Sequence, residues 1–195
     1  MSTATCTAVC LKATDHKEHD KMLKLLTADG VVLSAVAKGI KKPAAKLKFA
    51  GQVFAFCEYT INEKNGFFTV AGASQIENLF SLTHDPDSFV SASIMLETCL
   101  YIADSIQNAS LFVDLLKGFK AILYNQKCPL CAATFFIYSA LKSAGYCALP
   151  TWLENMSYDT LPTVGVSDTA LKALKHAIGR VERYLGVEFV TKTTL

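Results

Sequence analysis

Thirteen residues, Val36-Ala-Lys-Gly-Ile-Lys-Lys-Pro-Ala-Ala-Lys-Leu-Lys48, hold five lysines and no acid. Gly39 and Pro43 mark the segment as a loop between two strands. Lysine ammoniums on such a loop suit one chemistry, contact with a phosphate backbone, and the competing reading is an ordinary solvated loop. Of the 19 basic residues, only Arg180 and Arg183 are arginine. Lysine is a point charge, whereas arginine carries the planar fork that reads guanine, so this composition favours backbone contact over base reading. Other reactive side chains do not assemble into a reaction. His16, His19, His84 and His176 have no metal-type spacing, and neither a Gly-rich phosphate loop nor a nucleophile elbow is present. Cys128-Pro-Leu-Cys131 has ligand spacing, but with Cys147 it makes three thiols where structural zinc needs four ligands. Buried reduced thiols are expected there, with a dithiol redox pair as the alternative. The sequence therefore predicts no catalytic residue, no metal and no cofactor.

The elements that position these residues fall into two kinds. Thr5 to Lys12 alternates short polar and apolar residues. An Asp29-Gly30 turn precedes the apolar run Val31 to Ala37, Phe49 to Ile61 is aromatic and β-branched, a turn cluster spans Asn62 to Gly66, and Phe67 to Ala73 reads as another strand. Asp20 to Leu26 fits either helix or strand. About five strands in some 75 residues match a small barrel. Six aromatics, Phe49, Phe54, Phe56, Tyr59, Phe67 and Phe68, fall within it; core is the expectation for each, with Tyr59 and Phe67 the two that could face a groove. After His84-Asp-Pro-Asp87 the pattern becomes helical over Ser88–Ser105, Ser110–Asn125 and Cys128–Ser143, the last apolar on nearly every side and so central. Ser167 is expected to cap a final helix with Leu171, Leu174, Ile178, Val181 and Leu185 on one face and Lys172, Lys175, His176 and Arg183 on the other. Ala148 to Val166, with two prolines and a glycine, reads as a loop.

Charge follows the same division. Leu11 to Lys48 carries nine lysines against four acids, Phe49 to Lys120 three lysines against eight acids, and the remainder seven bases against five acids. The N-terminus lacks the basic start and apolar run of a signal peptide, and the best apolar stretch, 14 residues, is too short to span a bilayer. Seven cysteines, an odd count in a chain too large to need staples, suggest reduced thiols in the cytoplasm.

Taken in order, these pieces resemble the RecO family of bacterial DNA repair proteins. The resemblance runs through Val9-Cys-Leu-Lys12, His19-Asp-Lys-Met-Leu-Lys-Leu-Leu-Thr27, Asp29-Gly30, Val36-Ala-Lys-Gly39, the basic loop and the aromatic strand around Phe54. It continues with Ala71 to Phe80 leading to a helix containing Glu97, and ends at Tyr184-Leu-Gly186 and Thr191-Lys-Thr-Thr-Leu195. It implies an α+β protein: a five-stranded OB-type β-barrel for nucleic acid over residues 1–80, followed by an α-helical domain over 81–195. It further implies a non-enzymatic, cytoplasmic recombination mediator that binds single- and double-stranded DNA, anneals complementary strands and helps load RecA. The implied partners are RecR and the acidic C-terminal tail of single-stranded-DNA-binding protein. On this reading Lys12, Lys38, Lys41, Lys42, Lys46 and Lys48 contact DNA, and Lys172, Lys175 and Arg183 extend that surface or attract the acidic tail. The sequence departs from the family in two places. The four-cysteine zinc module expected after Gly145-Tyr146 is reduced or absent, and Pro43-Ala-Ala45 stands where the basic loop has a serine. The alternatives are an interaction module that kept the fold without DNA affinity, and a thiol redox protein using Cys128 and Cys131.

Overall fold

The computed structural model describes residues 2–103, 108–163 and 167–194. The chain divides into two compact units, Met1–Phe80 and Ser81–Leu195.

The first unit is a closed barrel of five strands, β1 (Ser2–His16), β2 (Asp20–Thr27), β3 (Val32–Ala37), β4 (Phe56–Lys64) and β5 (Phe67–Glu77), ordered β1-β2-β3-β5-β4 and closed by β4 against β1. Every pairing is antiparallel except β3 with β5. This is the OB-type architecture, and Asp20 to Leu26 is a strand in it. A barrel this narrow leaves little room inside, and the inward residues are accordingly small or slender: Ala8, Cys10, Ala35, Ala37, Ala50, Cys57, Leu23, Leu25, Ile61 and Val70 around one large ring, Tyr59. Burial of the Tyr59 hydroxyl is made tolerable by its hydrogen bond to the Ala50 carbonyl, 2.8 Å away. The turn cluster resolves into a two-residue hairpin, Asn65-Gly66, with both φ angles positive (53° and 77°), the combination that matches strand twist.

One expected strand is corrected. Phe49 to Ala55 is not extended: a 3-10 turn covers Lys48–Gly51, and Phe54, buried, sits at φ 70°. Two hydrogen bonds hold it there, from Phe54 N to Cys10 O (3.1 Å) and from Cys10 N to Ala55 O (2.9 Å). Gly51 in that turn lies against Ile40, where an added Cβ would stand 2.2 Å from Ile40 Cδ1.

The second unit contains α1 (Pro86–Ala103), α2 (Ala109–Leu123), α3 (Pro129–Ser143) and α4 (Asp168–Leu185). Their starts follow from capping chemistry. Asp85 accepts from Ser88 N before Pro86 at the first helical position, and Ser167 accepts from Ala170 N. Gly186, at φ 66°, ends α4. α3, buried on most sides, packs on α1, α2 and α4, which makes it the central helix. The expected ends of the first helix at Ser105, of the 148–166 loop at Val166 and of the C-terminal segment at Leu195 lie outside the described residues. The rest of that loop contains a 3-10 turn, Thr151–Leu153.

Glu97 of α1 joins two segments that the sequence shows only as separate patches. Its carboxylate accepts from Val190 N (2.7 Å), Thr191 N (3.0 Å) and Tyr101 Oη (2.8 Å), so it caps the C-terminal 3-10 turn Thr191–Thr194. Burial alone would raise the Glu97 pKa, but the hydrogen bonds from Thr191, Val190 and Tyr101 outweigh it and hold the carboxyl below its ordinary value.

Candidate nucleic-acid interface

The basic loop is tied to the β1–β2 hairpin at three points. Gly39 N donates to Asp20 Oδ1 (2.7 Å), Lys41 N donates to His19 O (3.0 Å), and Lys41 Nζ donates to Asp15 Oδ2 (2.8 Å). Ile40, 6% exposed, enters the barrel core between these ties. Lys41 is thus engaged, and its hydrogen bond and charge hold the Asp15 carboxyl below the usual range. Lys38, Lys42, Lys46 and Lys48 are exposed and carry no ion pair among the described residues. The loop therefore fixes its backbone while leaving four ammoniums in water.

Two adjoining depressions share Lys38. One, about 190 Å³, is lined by Lys38, Lys46, Leu47 and Val70; the other, about 410 Å³, by Lys38, Asn62, Lys64, Asn65, Phe67 and Thr69. Phe67 is 77% exposed. A phenyl ring so exposed buries almost nothing for the fold and offers a face for a base. Tyr59, by contrast, is fully buried and cannot line a groove. Phe54 and Phe56 are buried, and Phe49 and Phe68 pack partly against the core. Lys64 is a site candidate that the sequence reading missed. Its neighbour Lys38 is far away in sequence, and only the closure of β3 on β5 brings their hairpins together.

Lys12 reaches the surface through a bulge. Between Cys10 and Lys12 the β1 register slips by one against β2, so inward alternation passes from Cys10 to Ala13 and Lys12 turns outward. There it stands opposite Lys24, which in turn faces Ser34 on β3. Like charges directly opposed across a sheet repel unless an anion lies over them. The outer face of β2 and β3 is also the face through which OB barrels hold oligonucleotides.

In the helical unit Lys172, Lys175 and Arg183 are exposed on α4, opposite its buried Leu174, Ala177, Ile178 and Val181. Cys128 stands at the N-terminal boundary of α3 without a side-chain capping hydrogen bond and is 2% exposed, with Cys131 one turn on and half-buried; all seven cysteines are free. The hydrogen bond from the Cys131 thiol holds the Cys128 thiol below its ordinary pKa, yet a sulfur so shielded is poorly placed to attack a bulky disulfide. No group of three or more His, Cys, Asp or Glu among the described residues could hold a metal ion, and no described helix is long and apolar enough to cross a membrane.

Residues 1–79 match the family model described as "Recombination protein O N terminal". The chain is 33% identical over 141 residues to the DNA repair protein RecO of Clostridium novyi, covering 71% of this chain and 55% of that protein. It is 32% identical over 111 residues to the namesake from Heliobacterium modesticaldum (57% and 41%), and 27% identical over 89 residues to that from Caldicellulosiruptor bescii (46% and 36%). The chain thus spans about half the length of the first of these relatives and less of the other two.

Proposed function

We propose, for a chain whose residues 1–79 belong to the recombination protein O N-terminal family, a role in DNA repair and recombination in which the barrel holds DNA by its phosphates. The observation that carries this reading is the pinned loop, with Lys38, Lys42, Lys46 and Lys48 exposed on a fixed backbone beside the exposed ring of Phe67. A loop whose backbone is already fixed spends little backbone-ordering entropy when a strand binds, which leaves only the lysine side chains to be ordered. Lys12, with Lys24 opposite, continues the row over the β2–β3 face, and Lys64 closes its far side. Lys41 contributes less than its neighbours, because a phosphate must compete with Asp15 for it.

On this reading residues 1–80 are the nucleic-acid-binding domain and 81–195 a helical domain, and the chain acts without catalysis, in the cytoplasm. It accepts single and double strands, brings complementary strands together and assists RecA loading, with RecR and the acidic tail of single-stranded-DNA-binding protein as partners. Lys172, Lys175 and Arg183 contact either DNA or that tail. Fluorescence anisotropy with labelled single- and double-stranded oligonucleotides tests the reading. Saturable binding that weakens steeply with salt is expected. No binding at low salt would leave a protein-interaction module on the same fold.

A further inference from the structure

We infer that the face formed by α3, α4 and the Thr151–Leu153 turn is a second strand-binding site, which takes the exposed bases of an unpaired nucleic-acid strand. For the ligand's class the inference rests on the nucleic-acid reading above; its residues are all separate from the barrel loop. Both arginines of the chain lie on α4, and its only tryptophan, Trp152, lies on the neighbouring turn with 52% of its surface exposed. A buried ring organises them. Tyr138 of α3 meets the edge of Trp152 with ring centroids 6.0 Å apart, the Arg180 guanidinium sits 5.9 Å above the Tyr138 ring, and Tyr138 Oη is 2.9 Å from His176 Nδ1. A second aromatic pair, Tyr146 stacked on Tyr184 at 6.1 Å, leaves Tyr184 41% exposed.

On α4 the residues Lys172, His176, Arg180 and Tyr184 recur every fourth position, with Arg183 alongside. At about 1.5 Å per residue this strip is about 18 Å long, the length of about five stacked nucleotides at about 3.4 Å each. Its acids are mostly engaged or peripheral. Glu182 is held by Lys192 Nζ (2.7 Å) and Phe189 N (3.0 Å), and Glu188 also lies near Lys192. Glu154, exposed two residues from Trp152, and Asp168, exposed one turn before Lys172 at the start of α4, are the exceptions, and their charges favour phosphates at the Arg180–Tyr184 end of the strip. Exposed planar rings set beside planar guanidiniums supply stacking area, which bases can use and acidic side chains cannot. The strip therefore fits an unpaired strand better than an acidic peptide.

Because Trp152 is the sole tryptophan, its fluorescence reports this face alone. The full chain is titrated with oligothymidylate of about ten nucleotides, while anisotropy of a labelled copy measures occupancy independently. Quenching of Trp152 that saturates with occupancy is expected. Arg180→Lys and Tyr184→Ala should each weaken that quenching phase about fivefold to tenfold. A Lys38→Ala/Lys46→Ala variant should keep the full quench at saturation. Saturating anisotropy without any change in tryptophan emission would overturn this inference and leave the barrel reading standing. Equal quenching by polyglutamate of the same length would overturn it in favour of a peptide. Absence of oligonucleotide binding altogether would overturn both.

Discussion

The two basic surfaces are built on opposite principles. In the barrel the charges sit on irregular backbone, and a few hydrogen bonds to the β1–β2 hairpin decide its path. In the helical unit they sit on an 18-residue helix, fixed by capping and by burying Leu174, Ala177, Ile178 and Val181. A loop can be bent to bring lysines around a depression, but it depends on single contacts. A helix repeats its side chains at fixed intervals and resists the loss of any one of them. The first arrangement suits phosphate contact through mobile ammoniums, the second suits flat groups held in register.

If that contrast is right, the helical unit should be fragile only where its ends are pinned. Glu97→Ala leaves the Val190 and Thr191 N–H groups without their acceptor and should cost about 2–3 kcal/mol in urea unfolding. Since the Glu97 carboxyl is held below its ordinary value in the fold, its contribution is present above the unfolded pKa of about 4.3 and is lost as pH falls through the lower folded value. Glu97→Gln should remove that acid dependence. A barrel signal that changed equally would break the comparison.

The loop's dependence on single contacts can be sharpened at Asp20 and Gly51. Asp20→Ala removes the charged acceptor of Gly39 N and should lower barrel stability by about 1.5–3 kcal/mol, with faster exchange of the Gly39 amide. Asp20→Asn retains an acceptor and should lose less than half of that. Gly51→Ala crowds Ile40 beneath the same loop and should cost about 1–2 kcal/mol by thermal unfolding, less if Ile40 can turn its Cδ1 away. Smaller again is the difference between two adjacent lysines. Removing Lys42 should flatten the salt dependence of oligonucleotide binding by about 0.7, and removing the Asp15-paired Lys41 by clearly less.

Legibility in the sequence followed the range of the interactions. Asn65-Gly66, Ser167 and the Asp85-Pro86 start act over two to four residues, and each does in the fold what its local chemistry demands. Asp20 to Leu26 was ambiguous because its strand character comes from pairing with β1 and β3, which no local pattern records. Phe49 to Ala55 looked extended for its aromatic and β-branched content, whereas contacts with Cys10 turn it back on itself. The basic loop was visible as a composition, but neither its ties to Asp20 and Asp15 nor the approach of Lys64 and Phe67 was. Glu97 and Thr191 were both conspicuous, yet 94 residues separate two groups that share a hydrogen bond.

The central claim is that the barrel loop holds phosphates. Its most direct test is the slope of log affinity against log salt for single-stranded DNA, measured on the full chain and on Lys38→Ala/Lys46→Ala. Each lysine that neutralises a phosphate adds about −0.7 to the slope, so the double variant should be flatter by about 1.4 and weaker on all sequences alike. An unchanged slope and affinity would contradict the assignment of the loop as the strand-binding surface.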